Sequence, residues 1–269
     1  MTLLARTSLE SNEIRYSNPG ASSELVLPVT LMQEAPEDMC FDNVRKNSEL
    51  PNKWLNSYPE NNKPAIVCGF GPTLKEFLPE IAELARKGGT IFACNYAAQY
   101  LVNNGIIPDY QIVFEPLCGV EVIGNARDHL FASVCNPALF EAEKEAILWH
   151  PLIPGLDDQI KSGRSYCGIG GGVMVGNSAI CIAYTMGHRD LQCFGLDCSH
   201  KNGESHAVKP ESYDNEIYCD IEVNGKIFNT TFSLKQAAFV FKELRNQLIQ
   251  AGCSVKVHGD SLLPSLFKD

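Results

Sequence analysis

Apolar and polar positions fall into short alternating blocks along most of this chain. From residue 65 onward, apolar runs of strand length are followed by stretches with helical spacing. The pattern predicts strands at 65–68, 90–94, 110–114, 131–134, 146–149, 191–195 and 254–258. Helices are expected at 74–87, 96–102, 177–186 and 232–251, with 137–143 a helix or turn. The helix at 74–87 carries apolar residues at Leu74, Phe77, Leu78, Ile81, Leu84 and Ala85, and Gly88-Gly89 stops it. Strands alternating with helices point to an α/β, Rossmann-like doubly wound sheet, mainly parallel, with helices on both faces. Residues 1–62 are polar and weakly periodic. They read as an extended arm or partly ordered lead-in, with a short helix only at 41–50. Residues 63–269 form the expected nucleotide-binding domain. No internal repeat is visible.

The most informative segment is Ala65-Ile66-Val67-Cys68-Gly69-Phe70-Gly71-Pro72-Thr73-Leu74. An apolar run ends in Gly-x-Gly, and Pro72 and Thr73 then open a helix. Glycines let a ligand approach the backbone, and Pro suits a first helical turn. Free N–H groups at such a turn attract phosphate. The motif lacks the third glycine of a dinucleotide fingerprint and the Lys of a P-loop. A tight turn without ligand is the plain alternative.

Other polar positions are expected at the same edge of the sheet. Asn95 follows the second strand, Glu115 the third, and Asp197 the strand at 191–195. In such sheets ligands bind beyond the carboxyl ends of the strands. Each residue also has an ordinary reading: Asn95 as a helix N-cap, Glu115 as a loop acid, Asp197 as a turn residue. Gly168-Ile169-Gly170-Gly171-Gly172 runs toward the small-residue helix beginning at Asn177, as a second phosphate cradle or a surface loop. The segment after Asp197 holds His200, Lys201, Glu204 and His206; either histidine suits acid–base work or phosphate contact. Asp197 with Glu115 is a candidate pair for Mg²⁺. No spacing suits zinc, and no Gly-x-Ser-x-Gly elbow is present.

Composition narrows the classes. The 269 residues carry a net charge of −10, which disfavours general nucleic-acid binding. The 11 cysteines are scattered singly, several in apolar runs (Cys68, Cys94, Cys193, Cys253). That fits buried thiols in a reducing cytoplasm rather than a disulfide framework. Neither a membrane span nor a secretory leader is expected. The long helix at 232–251 offers Phe239, Val240 and Leu244 as a homo-oligomer face or, on helix patterning, a core face.

Gly69-Phe70-Gly71-Pro72-Thr73-Leu74, Cys94-Asn95, Gly105-Ile106-Ile107-Pro108-Asp109-Tyr110 and Phe114-Glu115-Pro116 together resemble the MptE-like family. Its members include archaeal 6-hydroxymethylpterin diphosphokinases, and the central domain of bacterial motility accessory factors is similar. Residues 179–197, Asn202-Gly203, Ser205-His206-Ala207 and Asp260-Ser261-Leu262-Leu263-Pro264 also look like bacterial CMP-sialic acid sialyltransferases. The resemblance covers about residues 64–264. It implies a nucleotide site at Gly69, Gly71, Pro72, Thr73 and Asn95, and phosphate contact by His206. Phe70, Gly171, Gly172 and Asn177 complete the expected nucleotide set, and Asp197, His206 and Glu115 the expected catalytic set. The implied activity is transfer from a nucleotide donor to a small-molecule or glycan acceptor. A CMP-type sugar is slightly favoured over Mg-ATP-dependent diphosphorylation of a pterin-like alcohol, and a non-catalytic nucleotide binder is the remaining possibility. Two departures stand out: no match to the sialyltransferases' Ser-His-Tyr segment lies between Glu211 and Thr231, and Glu115 stands where diphosphokinase-like members carry Asp.

Overall fold

The computed structural model describes residues 4–17, 25–28, 35–117, 119–161, 163, 165–172, 174–208 and 218–267. Strands β1 (Leu4–Thr7), β2 (Glu13–Ser17) and β3 (Leu25–Pro28) precede helix α1 (Glu37–Ser48). The main alternation follows: β4 (Ala65–Cys68), α2 (Leu78–Arg86), β5 (Thr90–Cys94), α3 (Ala97–Asn103), β6 (Tyr110–Val113), β7 (Asp128–Ala132), α4 (Pro137–Ala142), β8 (Ile147–Pro151), β9 (Gly168–Ile169), α5 (Val175–Thr185) and β10 (Asp190–Phe194). The chain then forms β11 (Tyr218–Val223), β12 (Lys226–Thr231), α6 (Phe232–Gln250), β13 (Ser254–Val257) and α7 (Leu262–Ser265).

Eight strands build the central sheet in the order β13-β10-β4-β5-β6-β7-β8-β9. Every pairing in it is parallel. All four residues of β4 are buried, as expected for a strand covered on both faces. Ile66 and Cys68 face α2 and α3, with Ile81, Ala98 and Leu101. Ala65 and Val67 face the layer containing α1, α5 and α6. The order runs outward from β4 through β9, then returns to β10 on the other side of β4. The sheet therefore reverses direction between β4 and β10, where ligands of doubly wound folds bind.

The expected elements are present, with instructive differences. The helix expected at 74–87 is split into a 3₁₀ turn, Leu74–Glu76, and α2. Pro79 explains the break: its ring would clash with the carbonyl four residues earlier in one continuous helix. The stretch read as a loose lead-in holds β1–β3 and α1, although its residues 1–3, 18–24 and 29–34 lie outside the described set. Its amides serve the fold rather than solvent. Asn43 Nδ2 donates to the Val134 carbonyl (3.0 Å), and Asn47 Nδ2 to the carbonyls of Ser133 (2.9 Å) and Cys135 (2.7 Å).

A second sheet, β12-β11-β1-β2-β3, was not anticipated. Its hairpin turns at Asn224-Gly225, both with positive φ (50° and 74°), the conformation that Asn-Gly favours in two-residue turns. Thr230 Oγ1 donates to the Cys198 carbonyl (2.7 Å) and joins this sheet to the loop after β10. The buried Lys235 of α6 donates to the Ser11 carbonyl in the β1–β2 turn and lies over the Phe232 ring. On α6, Phe232, Lys235, Ala237, Ala238, Phe241 and Leu248 are the buried positions. Leu244 packs against the core, while Val240 is exposed.

Seven of the ten described cysteines are buried, as small apolar side chains would be. Among the described residues no helix is long and apolar enough to cross a membrane.

Candidate functional site

The turn after β4 and the loop after β10 lie back to back. Gly69 N–H donates to the Phe194 carbonyl (2.9 Å) and Gly71 N–H to the Gly195 carbonyl (2.8 Å). A Cβ on Gly71 would stand 2.6 Å from the Gly195 oxygen and strike the Asp197 carboxylate. Gly-x-Gly is thus required, in part, by the approach of two backbones.

Asp197 pins the turn. Its carboxylate accepts from the Thr73 N–H (3.0 Å) and the Thr73 hydroxyl (2.7 Å), and both residues are buried. Burial pushes the Asp197 carboxyl above its ordinary range; the nearby Ser261 hydroxyl and the two Thr73 donors offset part of that effect. The Asp197 carbonyl in turn accepts from the Leu263 N–H (3.0 Å), and Ser199 Oγ accepts from the Leu262 N–H (3.0 Å). The C-terminal Asp260–Pro264 segment therefore underpins the Gly69–Thr73 turn. Two ion pairs fasten the loop after β10 to the 3₁₀ turn: Lys75–Glu204 (2.5 Å) and Lys201–Glu76 (2.7 Å).

The second glycine segment reaches the same place. A Cβ on Gly69 would lie 2.5 Å from Leu196 Cδ2, and one on Gly176 would lie 2.6 Å from the same atom. The turn after β4 and the first turn of α5 thus close on one side chain at the sheet's reversal point. Helix α5 begins at Val175 with no side-chain cap, leaving its first N–H groups for an outside acceptor. Gly171 (φ 113°) packs against the N–H of Ser178. Gly172 has open space beside it, and Asn177 is turned away to the Ala237 carbonyl (3.2 Å), tying α5 to α6.

Asn95 is not a side-chain N-cap: α3 is capped by no side chain. Asn95 adopts a positive φ of 43°, and its carboxamide bridges strand ends. Its Nδ2 donates to Glu115 Oε1 (2.6 Å), while its Oδ1 accepts from the Phe114 N–H (3.2 Å). Phe70, in the turn, meets the rings of Tyr100 (5.8 Å), Tyr96 (6.4 Å) and His206 (5.7 Å). Ala207 N–H donates to the Phe70 carbonyl (2.9 Å), bringing His206 beside the turn.

Asp197 and Glu115 are not brought together. Strands β4 and β5 stand between β10 and β6, three strand spacings or roughly 14 Å. Asp197 is buried and occupied by Thr73, and Glu115 is occupied by Asn95. This pair does not fit one Mg²⁺ ion. Among the described residues no group of three His, Cys, Asp or Glu side chains could hold a metal. Of the segment from Glu211 to Thr231, which lacks a Ser-His-Tyr equivalent, residues 211–217 lie outside the described set. Leu196, Gly176 and Gly195 were not singled out beforehand. Gly176 stood legible one residue before Asn177 in a glycine-rich run.

Four histidines are held below their ordinary range, burial being the leading cause in each: His150, His188, His206 and His258. The unfolded chain binds these protons more readily. Their contribution to stability is complete above an unfolded value of about 6.5 and is lost as pH falls through the lower folded values. Asp197 acts in the opposite sense, closer to carboxylate range. Urea midpoints are therefore expected to be lower at pH 5.5 than at pH 7.5; an equal or higher midpoint at pH 5.5 refutes the assignment.

A parallel, doubly wound sheet with glycine turns at its reversal point defines a Rossmann-like protein. The chain belongs to the MptE-like family: residues 39–203, more than half of it, match the family model described as 6-hydroxymethylpterin diphosphokinase MptE-like. It is also similar in fold to the Maf glycosyltransferase from Magnetospirillum magneticum AMB-1. That likeness has a TM-score of 0.66 at 17% identity, covering 84% of this chain and 37% of the other. The chain thus spans little more than a third of that relative. No curated protein matches it.

Proposed function

We propose that this chain is a nucleotide-dependent transferase whose donor lies across the crevice between β4 and β10. The observation that carries the reading is the closure of Gly69 and Gly176 on Leu196. It sets the turn after β4 beside the uncapped start of α5 at the reversal point of the sheet. The N–H groups at the start of α5 suit a phosphate, and Asn95 and His206 flank the turn with polar groups. Transfer of a sugar from a CMP-type donor is the favoured form, since the family resemblance in the second half of the chain and the fold shared with a glycosyltransferase both support it.

Transfer of diphosphate from ATP to a pterin-like alcohol is the second reading. The family description favours it, and Phe70, Tyr96 and Tyr100 offer aromatic surface to a flat ring. Mg²⁺ would supply charge neutralisation at the phosphates in that chemistry. The Asp197–Glu115 pair does not fit the ion, so no step is assigned to it.

A thermal-shift panel of CMP, CDP, UDP, GDP and ATP, each with and without Mg²⁺, tests the reading. A nucleotide at 100 times its dissociation constant should stabilise the fold by about 2.7 kcal/mol. A shift with CMP alone is expected. A shift confined to Mg-ATP selects diphosphoryl transfer, and no shift with any nucleotide overturns both. Binding without turnover of any donor marks a non-catalytic binder.

A further inference from the structure

The loop after β10 carries a second histidine whose surroundings differ from those of His206. His200 Nδ1 lies 2.9 Å from Asn229 Oδ1, and the His200 N–H donates to the Asn229 carbonyl (2.8 Å). Asn229 Nδ2 donates to Asp220 Oδ1 (3.0 Å). These contacts fix the tautomer. A carboxylate only accepts, so it claims the Asn229 amide nitrogen and leaves the amide oxygen for histidine. Histidine must then donate from Nδ1, which leaves Nε2 with a bare lone pair. That nitrogen is shielded from solvent and has no hydrogen-bond partner among the described residues.

The position of this lone pair follows from the topology. His200 lies three residues beyond Asp197, the pin of the nucleotide turn. Asp220 and Asn229 are register partners in the β11–β12 hairpin. The Asn229 side chain meets His200, whose ring lies 5.3 Å from that of Tyr218. One wall of this corner is thus the loop at the carboxyl edge, and the other is the second sheet. Burying a nitrogen without a donor is costly, and native folds hold few such atoms. A donor from outside the chain would satisfy it.

We propose that His200 is the general base of the transfer reaction, with the acceptor alcohol supplying the missing donor. The inference rests on the transferase reading. The acceptor oxygen forms a bond to the transferred group as the bond from that group to the nucleotide phosphate oxygen breaks. The electron pair of the breaking bond leaves with the phosphate. The hydroxyl proton passes to His200 Nε2, and the Nδ1 proton stays on Nδ1, donated in a hydrogen bond to Asn229 Oδ1. Asn229 and Asp220 are positioning residues that hold the imidazole with Nδ1 toward Asn229 and Nε2 free to face the acceptor. The scheme is the same whether the group is a sugar or a diphosphate, and it supplies the base that the missing Ser-His-Tyr segment leaves unassigned.

The test uses the full chain with CMP-sialic acid plus lactose, and with Mg-ATP plus 6-hydroxymethylpterin, following release of CMP or AMP. His200→Gln should lower release by 10²–10⁴-fold, the usual contribution of a positioned base. Its nucleotide thermal shift should stay at the wild-type value. Asn229→Ala keeps the imidazole and should lower release about tenfold while displacing the pH profile, a change that a merely structural role would not produce. Imidazole ¹⁵N shifts provide a readout free of turnover: Nδ1 should be protonated and Nε2 bare at pH 7.5. Equal release by wild type and His200→Gln, or the opposite tautomer, overturns the assignment while leaving the transferase reading standing. A wild type that gives no nucleotide shift overturns that reading, and the base with it.

Discussion

Asp197→Ala is expected to destabilise the fold by about 3 kcal/mol and to abolish the nucleotide-dependent rise in melting temperature. Two donors of a fully buried residue, the Thr73 N–H and hydroxyl, both end on this carboxylate. Truncation leaves both without an acceptor, at about 1–3 kcal/mol for each stranded group. Part of that loss is recovered, because a carboxylate whose proton affinity is raised by burial is itself costly to keep ionised. The functional effect follows from position: Thr73 closes the turn that begins at Gly69, and the turn holds its shape only while both donors are engaged. Equilibrium urea unfolding and the nucleotide panel measure the two effects separately. A loss below about 1 kcal/mol, within the range of a single ordinary hydrogen bond, would show that the turn stands without its pin.

Gly195→Ala attacks the same junction from the other strand. Gly195 has a φ of 63°, and a Cβ there would lie 2.6 Å from the Gly69 oxygen and 2.9 Å from Leu74 Cβ. Left-handed backbone costs a residue with a Cβ about 1–2 kcal/mol, and forced overlap in packed surroundings adds about 1–3 kcal/mol. The obstructing oxygen is backbone and cannot swing aside. The expected cost is about 3 kcal/mol, read as a fall of roughly 6–12 °C in melting temperature at this chain length. The two loops would be forced apart, so the nucleotide response should fall with it. Unchanged melting together with an unchanged nucleotide shift would refute the tight apposition.

The parallel core was legible because its signals are local. Apolar runs such as Ala65–Cys68 are continuous where a strand is buried on both faces, and the expected strands fell on real ones. The convergence of Gly69, Asn95, Glu115 and Asp197 on one edge followed from strand ends alone. Their partners did not, because partnership across strands depends on the order of the sheet. Asp197 and Glu115 look equivalent in sequence, but β4 and β5 stand between their strands. Asn43 and Asn47 made the lead-in look solvated; their amides instead satisfy carbonyls that are distant in sequence. Pro79 and Asn224-Gly225 are readable markers of a helix break and a hairpin; the helical spacing around the first is continuous, and the strands beside the second are rich in polar residues.

The second sheet has a consequence for how the chain assembles. Arg6 of β1 pairs with Asp220 of β11, more than 200 residues away in sequence. At translation rates of ~5–20 residues per second, the first strand waits roughly 10–40 s before its partner is made. During that interval β1 has only the antiparallel neighbour β2 beside it, and an isolated two-stranded hairpin is marginal in water. The eight-stranded sheet can gather most of its strands in order as they emerge. The piece carrying Asp220 and Asn229, and so the support beneath His200, is among the last to lock into place.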